Sequence, residues 1–255
     1  MSSPTVNTRL GLIAGIEKDG VQQFRGIPFA APLKGLGRIR APEPVSAWHG
    51  VLDATSWAPA APQDEISFMP VGETGEACLA LNIWRPLHQA TPLPVMVWIH
   101  GGGFTAGASS QSLYDGSALA RENGVIIVSI NYRLGILGFG EWSEWPELNG
   151  VSNAGLRDQI LALQWVRDHI ADFGGDPAAV TLFGESAGGM SIACLMASPL
   201  AQGLFARAII QSGSPDHVVT RSEAARITRL FAEAAGGGPA SCLMGDLKGI
   251  VRAQR

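Results

Sequence analysis

Short apolar runs recur along this chain at spacings that set up alternating strands and helices. Residues 81–84, 95–99, 125–131, 180–183 and 208–212 are β-favouring stretches bounded by polar or turn-forming residues, and they predict strands. Within 153–171, Leu156, Ile160, Leu163 and Ile170 share one face at helical spacing, and Asn153 stands where a side chain would cap the first turn. Residues 221–235 predict an amphipathic helix, 236–239 a turn, and 243–251 part of a further helix. Strands so uniformly apolar need cover on both faces, and the βα alternation supplies it. The pattern predicts an α/β fold with a mostly parallel central sheet and helices on both faces.

Ahead of that region, residues 6–31 alternate β-favouring stretches with Gly11, Gly15, Gly20 and Gly26, which predicts a small antiparallel hairpin preceding the main sheet. Residues 32–70, rich in Pro, Gly and Ala, predict a long irregular stretch anchored by Trp48 and Trp57. With 46% hydrophobic and 16% charged residues, the 255 positions suffice for the core of one domain spanning 1–255, which argues against a disordered or fibrous chain. The net charge is −4 and the 18 Lys and Arg are scattered, so no basic stripe marks a nucleic-acid partner. The N-terminus carries no signal-peptide or acylation pattern, and the longest apolar runs, 94–99 and 125–128, are too short to span a bilayer; a cytoplasmic protein without a membrane partner is expected. Cys78, Cys194 and Cys242 lie far apart with no metal-ligand spacing, which predicts reduced thiols rather than a zinc site or disulfides.

Chemistry concentrates in two places. Gly184-Glu185-Ser186-Ala187-Gly188 follows one predicted strand and opens a helical stretch, the context of a nucleophile elbow. A strand turning directly into a helix strains the serine backbone and leaves room only for small residues two positions either side, so Ser186 is expected to project into solvent above a helix N-terminus. His100-Gly101-Gly102-Gly103-Phe104 follows another predicted strand. Successive glycines let main-chain N–H groups converge on one point, so Gly102, Gly103 and Ala187 are expected to donate to an oxyanion. His100, directly before that loop, is better placed to orient it than to act as a base, and His217 sits in a Pro-Asp-His loop that needs no special role.

Together these residues resemble the type-B carboxylesterase and cholinesterase family of the α/β-hydrolase superfamily. Phe24-Arg25-Gly26-Ile27-Pro28-Phe29-Ala30 is similar to its N-terminal block, Trp98-Ile99-His100-Gly101-Gly102-Gly103-Phe104 to its oxyanion loop, and Asn131-Tyr132-Arg133-Leu134-Gly135 to the next strand and turn. Phe173-Gly174-Gly175-Asp176-Pro177 and the run from Val180 to Gly189 fit the family's serine signature, and Gln211-Ser212-Gly213-Ser214 fits the strand end after it. The resemblance implies an α/β-hydrolase fold and hydrolysis of a small-molecule carboxylic ester through an acyl-enzyme at Ser186, with no cofactor and no metal. It also implies that Glu185 and Ser212 help arrange a catalytic histidine.

Two departures stand out. In Glu76-Ala77-Cys78-Leu79-Ala80-Leu81-Asn82 the family's acidic residue or glycine is Ala77, and residues 59–63 offer no cysteine partner, so Cys78 is expected to stay a free thiol. Family members are also about twice as long and take the triad acid and histidine from the portion absent here, so the expected domain is partial, with its C-terminal part missing, and weakly active or inactive alone. Its last strand would then expose an apolar edge, which predicts self-association or pairing with a missing C-terminal half. Two alternatives remain: a non-catalytic interaction module, and a shortened hydrolase using His100 or His217 as an improvised base. Phe104, Trp142 and Trp145 are candidate walls of the substrate pocket, and the sequence does not choose among ester classes.

Overall fold

The computed structural model describes residues 3–65, 70–87, 90, 92–236 and 238–254. The N-terminal meander consists of β1 (Thr5–Thr8), β2 (Gly11–Ala14), β3 (Ile16–Lys18) and β4 (Val21–Pro28). Between β3 and β4 the chain reverses through Asp19 and Gly20, both with positive φ, the two-residue turn whose twist matches antiparallel strands. β1 and β2 pair antiparallel, and β5 (Val51–Asp53) adds in parallel to β2, giving a small three-stranded sheet. β5 lies inside the stretch expected to be wholly irregular; residues 66–69 of that stretch fall outside the described residues.

The main sheet adds β6 (Ala80–Pro86), β7 (Leu93–Ile99), β8 (Ile126–Ile130), β9 (Gly175–Glu185) and β10 (Arg207–Gln211), in the order β10-β9-β7-β8-β6-β4-β3. β10–β9, β9–β7 and β7–β8 are parallel; β8–β6, β6–β4 and β4–β3 are antiparallel. The sheet is thus mixed: β10, β9, β7 and β8, which carry the candidate site, form the expected parallel part, whereas β6 joins β4 and β3 in an antiparallel wing.

Side-chain alternation sorts the two faces. Ile83, Val95, Val97, Val128, Val180 and Leu182 point to one side and join the largest core cluster with residues of α3 (Ala154–His169) and α4 (Ala187–Ala197). Trp84 and Ile127 point to the other and pack with Ala120 of α1 (Ser117–Asn123). A separate cluster joins α2 (Gly135–Phe139) to α5 (Arg221–Ala234), α6 (Pro239–Met244) and α7 (Leu247–Arg252) through Leu137, Trp142, Phe231, Leu243 and Ile250.

Two local expectations need correction. Asn153 occupies the cap position of α3 but makes no side-chain cap bond; its backbone is left-handed, at φ 53°, and its carbonyl instead accepts from Arg157 N. The single helix expected over 243–251 is two, because Asp246 caps a new start: its carboxylate accepts from Gly249 N at 2.6 Å, and Gly245 separates it from α6. Cys78 and Cys194 are free thiols, whereas the side chain of Cys242 is outside the described set. No helix among the described residues is long and apolar enough to cross a membrane. β10 lies at the sheet edge, with Ile209 46% and Ile210 39% exposed, so an apolar edge is present where the last strand was expected to leave one.

Candidate active site

β9 passes into α4 through a single residue, Ser186, whose backbone sits at φ 54° and ψ −122°, a region that costs a non-glycine residue of order 1–3 kcal/mol. Its neighbours hold it there. Ser186 N donates to Gln211 O of β10 at 2.8 Å, and Ser186 O accepts from Met190 N at 2.9 Å as α4 begins. The side chain is half-buried, and its hydroxyl is bonded to no described residue.

The glycine loop after β7 lies against this bend. A Cβ placed on Gly101 would stand 3.2 Å from Ser186 Cβ and 2.9 Å from Glu185 O, so loop and elbow are in van der Waals contact. Gly102 and Gly103 take positive φ, and Gly102 O accepts from Thr105 N and Ala106 N at 3.1 and 3.0 Å, which closes the loop into a tight turn. The amides of Gly102, Gly103 and Ala187 donate to no other described group. Ala187 N also lies at the start of an eleven-residue helix, where the macrodipole favours negative charge. A hydroxyl at a helix start can serve as a nucleophile, and uncommitted main-chain amides can receive a developing oxyanion.

Histidine placement is equally specific. His100 is 1% exposed; its Nδ1 donates to Gly101 O at 2.8 Å, its ring stacks on Tyr132 at 4.5 Å, and Tyr132 Oη donates to His100 O at 2.9 Å. Burial pushes its pKa down to about 4, so the ring is neutral and fixed into the loop. His217 is exposed, 3.6 Å from Asp216, on the wall of a cleft of about 730 Å³ that Phe104, Val218, Val219 and Cys194 also line. His169 packs on Trp165, His49 is exposed, and His88 lies outside the described residues. None of the described histidines bonds Ser186.

Glu185 and Ser212 flank the elbow: Glu185 pairs in register with Gln211, the residue before Ser212, and both side chains are exposed. Neither is hydrogen-bonded to a described histidine. Of the expected pocket walls, Phe104 lines the cleft and packs edge-on against Phe139 at 4.8 Å. Trp142 does not belong there; at 1% exposure it is core, meeting Trp145 and Phe231.

One buried pair went unread in the sequence. Arg133, just past β8, is bound by Asp158 of α3 through Nε at 2.8 Å and Nη2 at 2.6 Å, while its Nη1 donates to the carbonyls of Arg38 and Arg40. An arginine inside an apolar run is the available signal, since a fully buried guanidinium requires a carboxylate.

The chain matches the Carboxylesterase family over residues 2–247. It is 47% identical over 229 residues to para-nitrobenzyl esterase of Bacillus subtilis (strain 168), covering 88% of this chain and 46% of that protein. To acetylcholinesterase of Bungarus fasciatus it is 46% identical over 226 residues, covering 83% and 37%. A solved thermophilic PNB esterase superposes with a TM-score of 0.94 at 42% identity, over 99% of this chain and 53% of that one. The chain thus spans less than half the length of those curated relatives and about half that of the solved structure. The match with solved esterases shows that its described portion has the α/β-hydrolase fold. The chain belongs to the carboxylesterase family.

Proposed function

We propose that this chain carries the nucleophile and oxyanion-binding portion of a carboxylic-ester hydrolase. The observation that carries the reading is the strained Ser186, packed against Gly101, with the amides of Gly102, Gly103 and Ala187 bonded to no described group. Ser186 Oγ attacks the ester carbonyl carbon and gives its proton to a base. The N–H groups of Gly102, Gly103 and Ala187 receive the oxyanion, the C–O bond to the alcohol breaks, and the alcohol leaves with a proton. Water then attacks the acyl-serine and releases the carboxylic acid. No described histidine bonds Ser186, so the reading assigns base and acid to the part of the relatives' length that this chain does not span. Without that base roughly six decades of rate are lost, and slow turnover is expected.

A fluorophosphonate probe tests the serine directly, since it phosphonylates an activated hydroxyl and needs no turnover. Slow covalent labelling of the folded chain, lost in Ser186→Ala, is the expected result. A folded chain that takes up no probe on long incubation overturns the reading for residues 1–255.

The β10 edge adds a partner. Ile209 and Ile210 present apolar surface beside unpaired main-chain groups, a template for strand addition, and we expect the chain to self-associate through it. Light scattering over a concentration series should show mass rising with concentration, and Ile209→Lys should suppress the rise. Equal association by the Ile209→Lys chain would place the contact elsewhere.

A further inference from the structure

The glycine loop is gripped from outside by a residue that no motif contains. Gln63 accepts from Gly107 N through Oε1 at 2.8 Å and donates to Gly107 O through Nε2 at 2.8 Å, so its carboxamide closes a two-bond ring on the main chain of one residue and holds the peptide units on either side of it. Nε2 also donates to Ala61 O at 3.0 Å, which holds the carboxamide in plane. Gly107 in turn abuts the start of the loop: with φ at 107°, a Cβ there would lie 2.5 Å from His100 Nδ1 and 2.6 Å from Gly101 O. These are the two atoms of the His100–Gly101 hydrogen bond. The next two amides are held likewise, Ala108 N by Gln111 Oε1 and Ser109 N by Asn131 Oδ1. Among the described residues, only Gln63 bonds the returning arm of the loop to a segment more than forty residues upstream.

We propose that Gln63 is a positioning residue for the oxyanion loop, fixing the main chain of Gly107 and, through it, the seat of His100 and Gly101. Its catalytic consequence rests on the reaction proposed above; the positioning itself does not. Both hydrogen bonds are required, because a single bond would leave one of the two peptides that meet at Gly107 free to pivot. The amides of Gly102 and Gly103 bond no described group, so their aim depends on how the ends of the loop are anchored.

Two measurements on Gln63→Leu, Gln63→Glu and the unaltered chain test this. The first is hydrogen exchange at Thr105 and Ala106, whose amides bond Gly102 O and do not touch Gln63. Gln63→Leu should speed their exchange about tenfold while the amides of α3 stay unchanged. Unchanged exchange at 105 and 106 in a folded variant overturns the proposal whatever the labelling shows. The second is the fluorophosphonate reaction followed to saturation. Its maximal rate should fall about tenfold in Gln63→Leu with the half-saturating concentration within twofold, less than the 10²–10³ for loss of one oxyanion donor. Gln63→Glu faces two carbonyls with a carboxylate near neutral pH but regains a donor when protonated. Its deficit should therefore shrink at about pH 5, whereas that of Gln63→Leu should not. A rise in the half-saturating concentration with no loss of maximal rate, or a deficit in Gln63→Glu that ignores pH, counts against positioning. Faster exchange at 105 and 106 in a chain that takes no label upholds the role of Gln63 and rejects the reaction.

Discussion

Replacing Asp158 with alanine should cost about 3–5 kcal/mol of folding stability, the range for removing one partner of a buried ion pair. The pair is closed to water, with side-chain exposures of 1% for Arg133 and 0% for Asp158. The substitution leaves Arg133 Nε, Nη2 and main-chain N–H without their acceptor, in a site where solvent cannot replace it. What remains, the Arg38 and Arg40 carbonyls, satisfies Nη1 alone. For a domain of this size the melting midpoint should fall by about 10 °C. Removing the charge as well as its partner, in Arg133→Met with Asp158→Leu, should recover much of the loss, because the penalty lies in the stranded guanidinium more than in the missing attraction. A single variant melting within about 2 °C of the unaltered chain would show that the pair is solvated.

The contrast between this pair and the strands shows what a sequence exposes. β7 and β8 were legible because their contacts obey a local rule: an internal strand covered on both faces reads as a near-continuous apolar run, here broken only by Ser129 in β8. Their ends were less so. β9 starts at Gly175, five residues before its apolar run, because Gly175 pairs with Leu93 although Gly-Asp-Pro reads as a turn. Trp142 was misplaced for the opposite reason. Its partner Phe231 is supplied by a helix far along the chain, so its lining of a pocket and its burial in a core looked alike from the sequence.

At the candidate site, the position of Ser186 was readable because a strand-to-helix bend imposes its own small-residue pattern, and the positive φ there follows from the geometry. The contact between Gly101 and Ser186 follows as well, since both lie at the same ends of adjacent parallel strands: Ile99 pairs with Gly184. Gln63 could not be read. Its partner is the main chain of a residue 44 positions away, which leaves no mark on the periodicity of either segment. Asp158 was hidden in the same manner, as one polar residue on an otherwise apolar helix face.

The other large effect should come from Gly188→Ala, and here two terms oppose each other. Gly188 is in the first turn of α4, where alanine is favoured over glycine by about 1 kcal/mol. Against this, its Cβ would stand 2.0 Å from Ile99 O and 2.9 Å from His100 O. Both are main-chain atoms at the end of β7, which is paired on one side with β8 and on the other with β9, so neither can yield. The helix must move instead, by about 1 Å, at an overpacking cost of about 1–3 kcal/mol or more that outweighs the propensity gain. Ser186 moves with the helix away from Gly101, and a 1 Å misplacement of reacting groups can cost about 10²-fold in rate. Fluorophosphonate labelling per folded molecule should therefore fall by about that factor, measured at a temperature where the variant remains folded. Gly249→Ala in α7 is the matched control, because its Cβ would meet only Asp246 Oδ1, at an ordinary 3.4 Å. That chain should be unchanged or gain up to about 1 kcal/mol, with labelling intact. If Gly188→Ala melts and labels like the control, helix α4 does not sit within van der Waals contact of the end of β7, and the contact between Gly101 and Ser186 loses its support.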